Sequence, residues 1–242
     1  MSALFLSLLP KRAVINDNNE QLMLAYKSIR DDIEALIEIL KTHEKLNNEK
    51  YYYKIRELDR YPEIFASLSN VEIAARLIYL NKTCYNGLYR VNSKGLFNVP
   101  YGRYVRPAIC DETLLRSVHV YLKKGGSGVK ISHGDFAAAV KDAGKGSFIY
   151  FDPPYHGRND TSFTTYQAIK FDEGEQERLR DVFIEKTLKE AKCLLSNSDT
   201  PFIRKIYKDS RFFNITVKAR RAINSDGGGR GKVNEVLIKN YR

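Results

Sequence analysis

The chain has 242 residues, 43% of them hydrophobic and 12% aromatic, which is enough to bury a full core and too apolar for an intrinsically disordered chain. Forty lysines and arginines against 29 aspartates and glutamates leave a net charge of +11. That charge points to a polyanionic partner, nucleic acid before an anionic membrane or a merely soluble basic surface.

The cysteines Cys84, Cys110 and Cys193 and the histidines His43, His119, His133 and His156 are scattered without ligand spacing, so neither a disulfide framework nor a metal site is expected. A reducing cytoplasm fits this usage. The apolar opening, from Met1 to Leu9, has no basic leader and is far shorter than a membrane span. It reads as a buried helix end.

After the turn Pro10-Lys11-Arg12, Ala13-Val14-Ile15 reads as a short buried strand with Asn16-Asp17 at its end. An acid there either accepts from a ribose diol or caps the next helix. Leu22, Tyr26, Ile29, Ile33, Leu36, Ile37 and Leu40 recur at threes and fours and predict one amphipathic helix. From Thr42 to Pro62 the chain is polar and tyrosine-rich, the packing surface of an inserted subdomain or a DNA contact. Ser69 and Glu72 form a capping box for a helix running to about Asn81.

Between Cys84 and Tyr104, glycines, asparagines, aromatics and arginines alternate, which predicts a β-hairpin around Ser93-Lys94-Gly95. Its side chains suit bases: arginine for guanine edges, asparagine for adenine edges, tyrosine for wedging a stack. Tyr85, Asn86, Leu88, Arg90, Asn92, Pro100 and Arg103 are the candidates for DNA contact, against a plain exposed hairpin. Asp111 then caps a helix, and Val129-Lys130-Ile131 forms a strand leading to Gly134-Asp135-Phe136. An acid and an aromatic at a strand end bracket a purine or, alternatively, cap another helix.

The organising stretch is Asp152-Pro153-Pro154-Tyr155, which follows the strand-like run Phe148-Ile149-Tyr150-Phe151 and so falls at the carboxyl end of a strand, where open α/β sheets bind ligands. These residue types suit alkylation of an exocyclic base nitrogen, whose lone pair is delocalised into the ring until its hydrogens are accepted. A carboxylate takes one and the rigidly held carbonyl of Pro153 takes the other, while Tyr155 stacks on an extruded base. A bare strand-to-loop turn is the alternative.

His156 to Tyr166 reads as a polar flap over that site, Asp172 and Glu175 open an amphipathic helix, and Cys193-Leu194-Leu195 is a strand ending in Ser196-Asn197. Phe212 to Val217 and Val233 to Asn240 read as paired strands, joined by a loop carrying Arg220, Arg221 and the cationic run Gly227 to Lys232. The alternation of helix and strand indicates an α/β sheet.

Together, Asp152-Pro153-Pro154-Tyr155 and the segment from Cys84 to Tyr104 resemble the Dam-like DNA adenine-N6 methyltransferases, especially the methylases of DpnII-type restriction systems, and the resemblance runs from Ser2 to Tyr241. It implies a Rossmann-like methyltransferase sheet over residues 1–41 and 111–242, interrupted at 42–110 by a mainly helical recognition subdomain with its hairpin. It also implies S-adenosyl-L-methionine as cofactor, double-stranded DNA as partner with GATC as target, a cognate restriction endonuclease, and a nucleoid-associated place in a bacterial or phage-infected cell.

By the same resemblance Asp152, Pro153, Pro154 and Tyr155 are catalytic, and Asp17, Asp135, Phe136 and Asp152 hold the cofactor. Tyr85 intercalates beside the flipped adenine with Asn86 at the DNA, Arg90 reads a guanine, and Leu88 and Pro100 lie against the thymine. The family's Phe-x-Gly-x-Gly turn and its preceding Lys-Trp-x-Gly-Gly-Lys motif are absent, with Met1 falling where that turn should end. The expectation is a member shortened at its N-terminus, in which two inner strands lack a partner and only the adenosine half of the cofactor is held. The rival expectations are an inactive DNA-binding remnant and a cytosine-N4 methylase.

Overall fold

The computed structural model describes residues 2–124, 128–157, 171–220 and 232–242. They fall into two compact units, one ending at Ala139 and one starting at Val140. The Gly125-Gly126 turn, the polar stretch from Arg158 to Tyr166 and the loop from Arg221 to Gly231 lie outside the described residues.

The first unit opens with α1 (Ser2–Leu8) and β1 (Ala13–Asp17). Phe5 is buried, but Leu8 and Leu9 are exposed, so the apolar opening run is only half covered and not the buried end its composition predicts. Next come α2 (Glu20–Asp31) and α3 (Ile33–Leu46), where the apolar period predicts a single helix. The break is Asp32, at φ −130° and ψ 42°, whose N–H still closes α2 on the Ser28 carbonyl. The hydrophobic repeat crosses it unbroken because both helices turn the same face inward, so periodicity alone cannot reveal a one-residue kink.

There follow α4 (Glu49–Arg56), a 3-10 turn at Glu57–Arg60, α5 (Pro62–Ser67), α6 (Asn70–Thr83) and α7 (Glu112–Lys124). The Ser69 and Glu72 side chains make the expected reciprocal cap of α6, and Asp111 accepts from Leu114 N–H at 3.0 Å to start α7. Tyr52 is fully buried among Leu36, Leu40, Ala75, Tyr79 and Leu80, so this tyrosine serves packing, whereas Tyr61 is exposed. β2 (Val129–His133) and α8 (Phe136–Ala139) complete the unit. β2 lies parallel to β1 with Asp17 opposite His133.

The second unit holds β3 (Phe148–Phe151), α9 (Glu173–Leu188), β4 (Lys192–Ser198), α10 (Pro201–Ile206), β5 (Phe213–Arg220) and β6 (Lys232–Lys239). Its sheet runs β3-β4-β6-β5, with β3 and β4 parallel and β6 antiparallel to both of its neighbours. Asp172 caps α9 by accepting from Glu175 N–H. Phe183 of α9 packs on Phe151 and meets Phe212 edge-on at 5.0 Å; the core around it includes Leu179, Cys193 and Leu195.

The fold is mixed α/β, as expected, but its described strands form two sheets instead of one. Among the described residues β1 pairs only with β2 and β3 only with β4.

Candidate active site

In the first unit, the parallel register of β1 and β2 brings two candidate cofactor ligands to one end of the pair. Asp17 is the last residue of β1, not the first beyond it, and its Oδ1 accepts from Asn19 N–H at 2.8 Å. Beside it, Gly134 turns the chain out of β2 at φ +123°, a conformation that favours glycine. Asn16 fastens this turn by donating to the Gly134 carbonyl at 2.7 Å. Asp135 accepts from Ala137 and Ala138 N–H, so it does cap a short helix, the one that begins at Phe136. Two carboxylates and an aromatic at the carboxyl end of a parallel pair fit an adenosine in residue type and place.

The same unit carries the candidate recognition segment. The predicted hairpin is present as a turn at Asn92–Gly95 closed by single antiparallel pairings, Cys84 with Tyr101 and Val91 with Phe97, rather than as extended strands. A 3-10 turn at Tyr85–Gly87 interrupts it, with Asn86 in the left-handed region at φ 55°. The side chain of Asn92 is engaged within the loop, accepting from Lys94 and Leu96 N–H. Arg90 donates from Nε to Asn98 Oδ1 at 2.7 Å and from Nη2 to the Asn98 carbonyl at 3.1 Å.

Tyr85, Asn86, Pro100 and Arg103 are exposed, whereas Leu88, Arg90 and Asn92 are half-buried. The base of the loop requires glycine at Gly102, where a Cβ would come within 2.7 Å of the Cys84 carbonyl oxygen.

The second unit holds the proline loop. Because side chains alternate across a strand, Tyr150 and Asp152 share one face, and the parallel register that sets Phe151 beside Leu195 puts Ser196 next to Asp152. Ser196 Oγ donates to Asp152 Oδ1 at 3.0 Å and lies 3.0 Å from Tyr150 Oη. On the other face, fully buried Asn197 accepts from His156 N–H at 2.9 Å and donates to Gln176 Oε1 at 3.0 Å. Gln176, equally buried on α9, donates to the Pro154 carbonyl at 2.8 Å.

The His156 ring lies between Thr200 Oγ1 and Glu173 Oε1 and stacks on Phe202 at 4.7 Å. Both prolines of the loop are trans. Pro154's carbonyl is thus consumed by α9, while that of Pro153 accepts no hydrogen bond among the described residues.

Burial first, against hydrogen bonding to Ser196, raises the titration of Tyr150 and of Tyr155, so both hydroxyls keep their protons. Burial also pushes Cys84 up to about 11 and Cys193 up to about 12. Neither offers a thiolate at neutral pH. Among the described residues there is no cluster of three metal-ligating side chains, and no helix is long and apolar enough to cross a membrane.

Residues 2–223 match the family model of D12 class N6 adenine-specific DNA methyltransferases. The chain belongs to that family.

Its relatives include the type II methyltransferase M1.LlaDCHI of Lactococcus lactis subsp. cremoris, 44% identical over 99% of this chain and 83% of the relative. The type II methyltransferase M.MjaIII of Methanocaldococcus jannaschii is 43% identical over 96% of this chain and 81% of its own. A DNA adenine methylase of Haemophilus influenzae is 33% identical over 97% and 80%.

For this D12-class chain, the sequence singles out the proline loop but not the groups that hold it. Ser196 and Asn197 of β4 and Gln176 of α9 touch the loop only after β3 and β4 have paired. The one available signal is a polar Ser-Asn pair ending an apolar strand.

Proposed function

We propose that the chain transfers a methyl group from S-adenosyl-L-methionine to the N6 amino group of adenine in double-stranded DNA. The target is GATC, and the setting is a restriction-modification system whose endonuclease acts on the same site. The observation that carries this reading is the proline loop: the Asp152 carboxylate stands next to the Pro153 carbonyl, which accepts no hydrogen bond among the described residues.

When bound, the cofactor supplies a methyl group on a sulfonium sulfur. Asp152 accepts one N6 hydrogen and the Pro153 carbonyl the other, which turns the nitrogen lone pair toward the incoming carbon, and the proton released on methylation leaves through the carboxylate. Tyr155 stacks on the extruded base. Asp17 accepts from the ribose diol, and Asp135 and Phe136 hold the cofactor's adenine. In the recognition loop, Tyr85 wedges into the stack beside Asn86, Arg90 reads guanine, Leu88 and Pro100 meet the thymine, and Asn92 and Arg103 add further DNA contacts. This reading assigns 42–110 to a target-recognition subdomain within a Rossmann-like catalytic domain of 1–41 and 111–242, working in the cytoplasm at the nucleoid.

A second reading, an inactive remnant that still binds DNA, draws on β1 and β3 each pairing on one side only. Transfer of labelled methyl groups to a GATC duplex and to duplexes altered at one base separates the two, with digestion to nucleosides to locate the label on adenine. Asp152→Ala should abolish transfer and spare DNA binding. Turnover by that variant would sink the catalytic assignment, and binding without turnover by the unaltered chain would favour the remnant.

A further inference from the structure

One buried hydroxyl joins two polar side chains of the proline-loop face. Ser196, at 3% exposure, donates to Asp152 Oδ1 at 3.0 Å and lies 3.0 Å from Tyr150 Oη. A serine hydroxyl has one hydrogen and two lone pairs. Its hydrogen goes to the strongest acceptor present, the carboxylate, and a lone pair then receives the Tyr150 phenol, which burial keeps protonated. Turning the Asp152 carboxylate away would break this set.

The contact is specific to the strand register, since Ser196 is 44 residues from Asp152 and reaches it only through the β3-β4 pairing. The same hydroxyl meets Tyr150 on the strand before the prolines, so it holds the carboxylate on the face that Tyr150 shares.

We propose that Ser196 is a positioning residue of the methyl-transfer site, holding Asp152 in the arrangement in which the carboxylate meets the target amino group. This inference rests on the reading of Asp152 given above. Ser196 itself touches neither substrate nor cofactor.

The test is single-turnover methyl transfer to a GATC duplex by Ser196→Ala, Ser196→Thr and Tyr150→Phe, with DNA and S-adenosyl-L-methionine affinities and melting temperatures measured alongside. Ser196→Ala should slow the chemical step about 10- to 100-fold with both affinities within about twofold.

Ser196→Thr, which keeps the hydroxyl and suits a strand, should recover most of the rate. Tyr150→Phe, which removes one donor to Ser196 and leaves Asp152 bonded, should lose about three- to tenfold. Ser196→Ala turning over at the unaltered rate, or losing only affinity, overturns the inference. Turnover by Asp152→Ala instead brings down the reading beneath it, a result that Ser196→Ala cannot mimic.

Discussion

Gln176 donates its side-chain N–H to the carbonyl oxygen of Pro154 at 2.8 Å while accepting from Asn197 at 3.0 Å. This pair of contacts ties α9 and β4 to the proline loop from the face opposite Asp152. It also distinguishes the two proline carbonyls: Pro154's is occupied, and Pro153's accepts no hydrogen bond among the described residues. Gln176→Ala leaves the buried Asn197 amide and the Pro154 carbonyl unsatisfied, and each such loss costs about 1–3 kcal/mol. The expected outcome is a stability loss of about 2 kcal/mol in urea titration, with methyl transfer slowed more than DNA affinity is weakened.

The segment from Cys84 to Tyr104 hangs on a buried ion pair. Arg76 Nη2 lies 2.8 Å from Asp59 Oδ2, with both side chains under 10% exposed, and the same Asp59 oxygen accepts Phe97 N–H at 2.9 Å. Arg60 completes the grip by donating to the Phe97 carbonyl at 3.2 Å. Burial lowers the Arg76 titration against the pull of Asp59 in the other direction, the mark of a charge that needs its partner.

Asp59→Asn should therefore cost about 3–5 kcal/mol, since it strands a buried guanidinium, whereas Asp59→Leu with Arg76→Met should recover most of that loss. Denaturant midpoints of the single and double variants check both statements. Equal destabilisation would refute the ion-pair account.

His43 gives the first unit a dependence on pH. Its ring stacks on Tyr79 at 4.8 Å, its Nδ1 lies 2.7 Å from the Tyr51 hydroxyl, and burial lowers its titration from 6.5 to about 4. Between those values the unfolded chain binds a proton that the folded chain does not. Stability from this group is therefore fully present above about 6.5 and falls as the pH drops toward 4. The slope is about 1.4 kcal/mol per pH unit within that window. Urea midpoints at pH 7 and pH 5 should differ accordingly, and His43→Phe should flatten the difference. An unchanged slope in that variant would assign the effect to other groups.

What the sequence by itself determined is what neighbouring residues decide among themselves. The caps of α6 and α9 follow from Ser69 with Glu72 and from Asp172 with Glu175, each within three residues. The strand of Phe148–Phe151 follows from a short aromatic and β-branched run, and Asp152-Pro153-Pro154-Tyr155 with the segment from Cys84 to Tyr104 was enough to identify the family.

Only the tertiary structure decided the kink at Asp32, the reduction of the hairpin to single pairings, the Asp59–Arg76 pair and the surroundings of Asp152. The reason is separation along the chain. Ser196 meets Asp152 across 44 residues and Gln176 meets Asn197 across 21. A serine, a glutamine and an asparagine carry no local pattern that marks them, and they become parts of a site only when parallel pairing and helix packing bury them around the same loop.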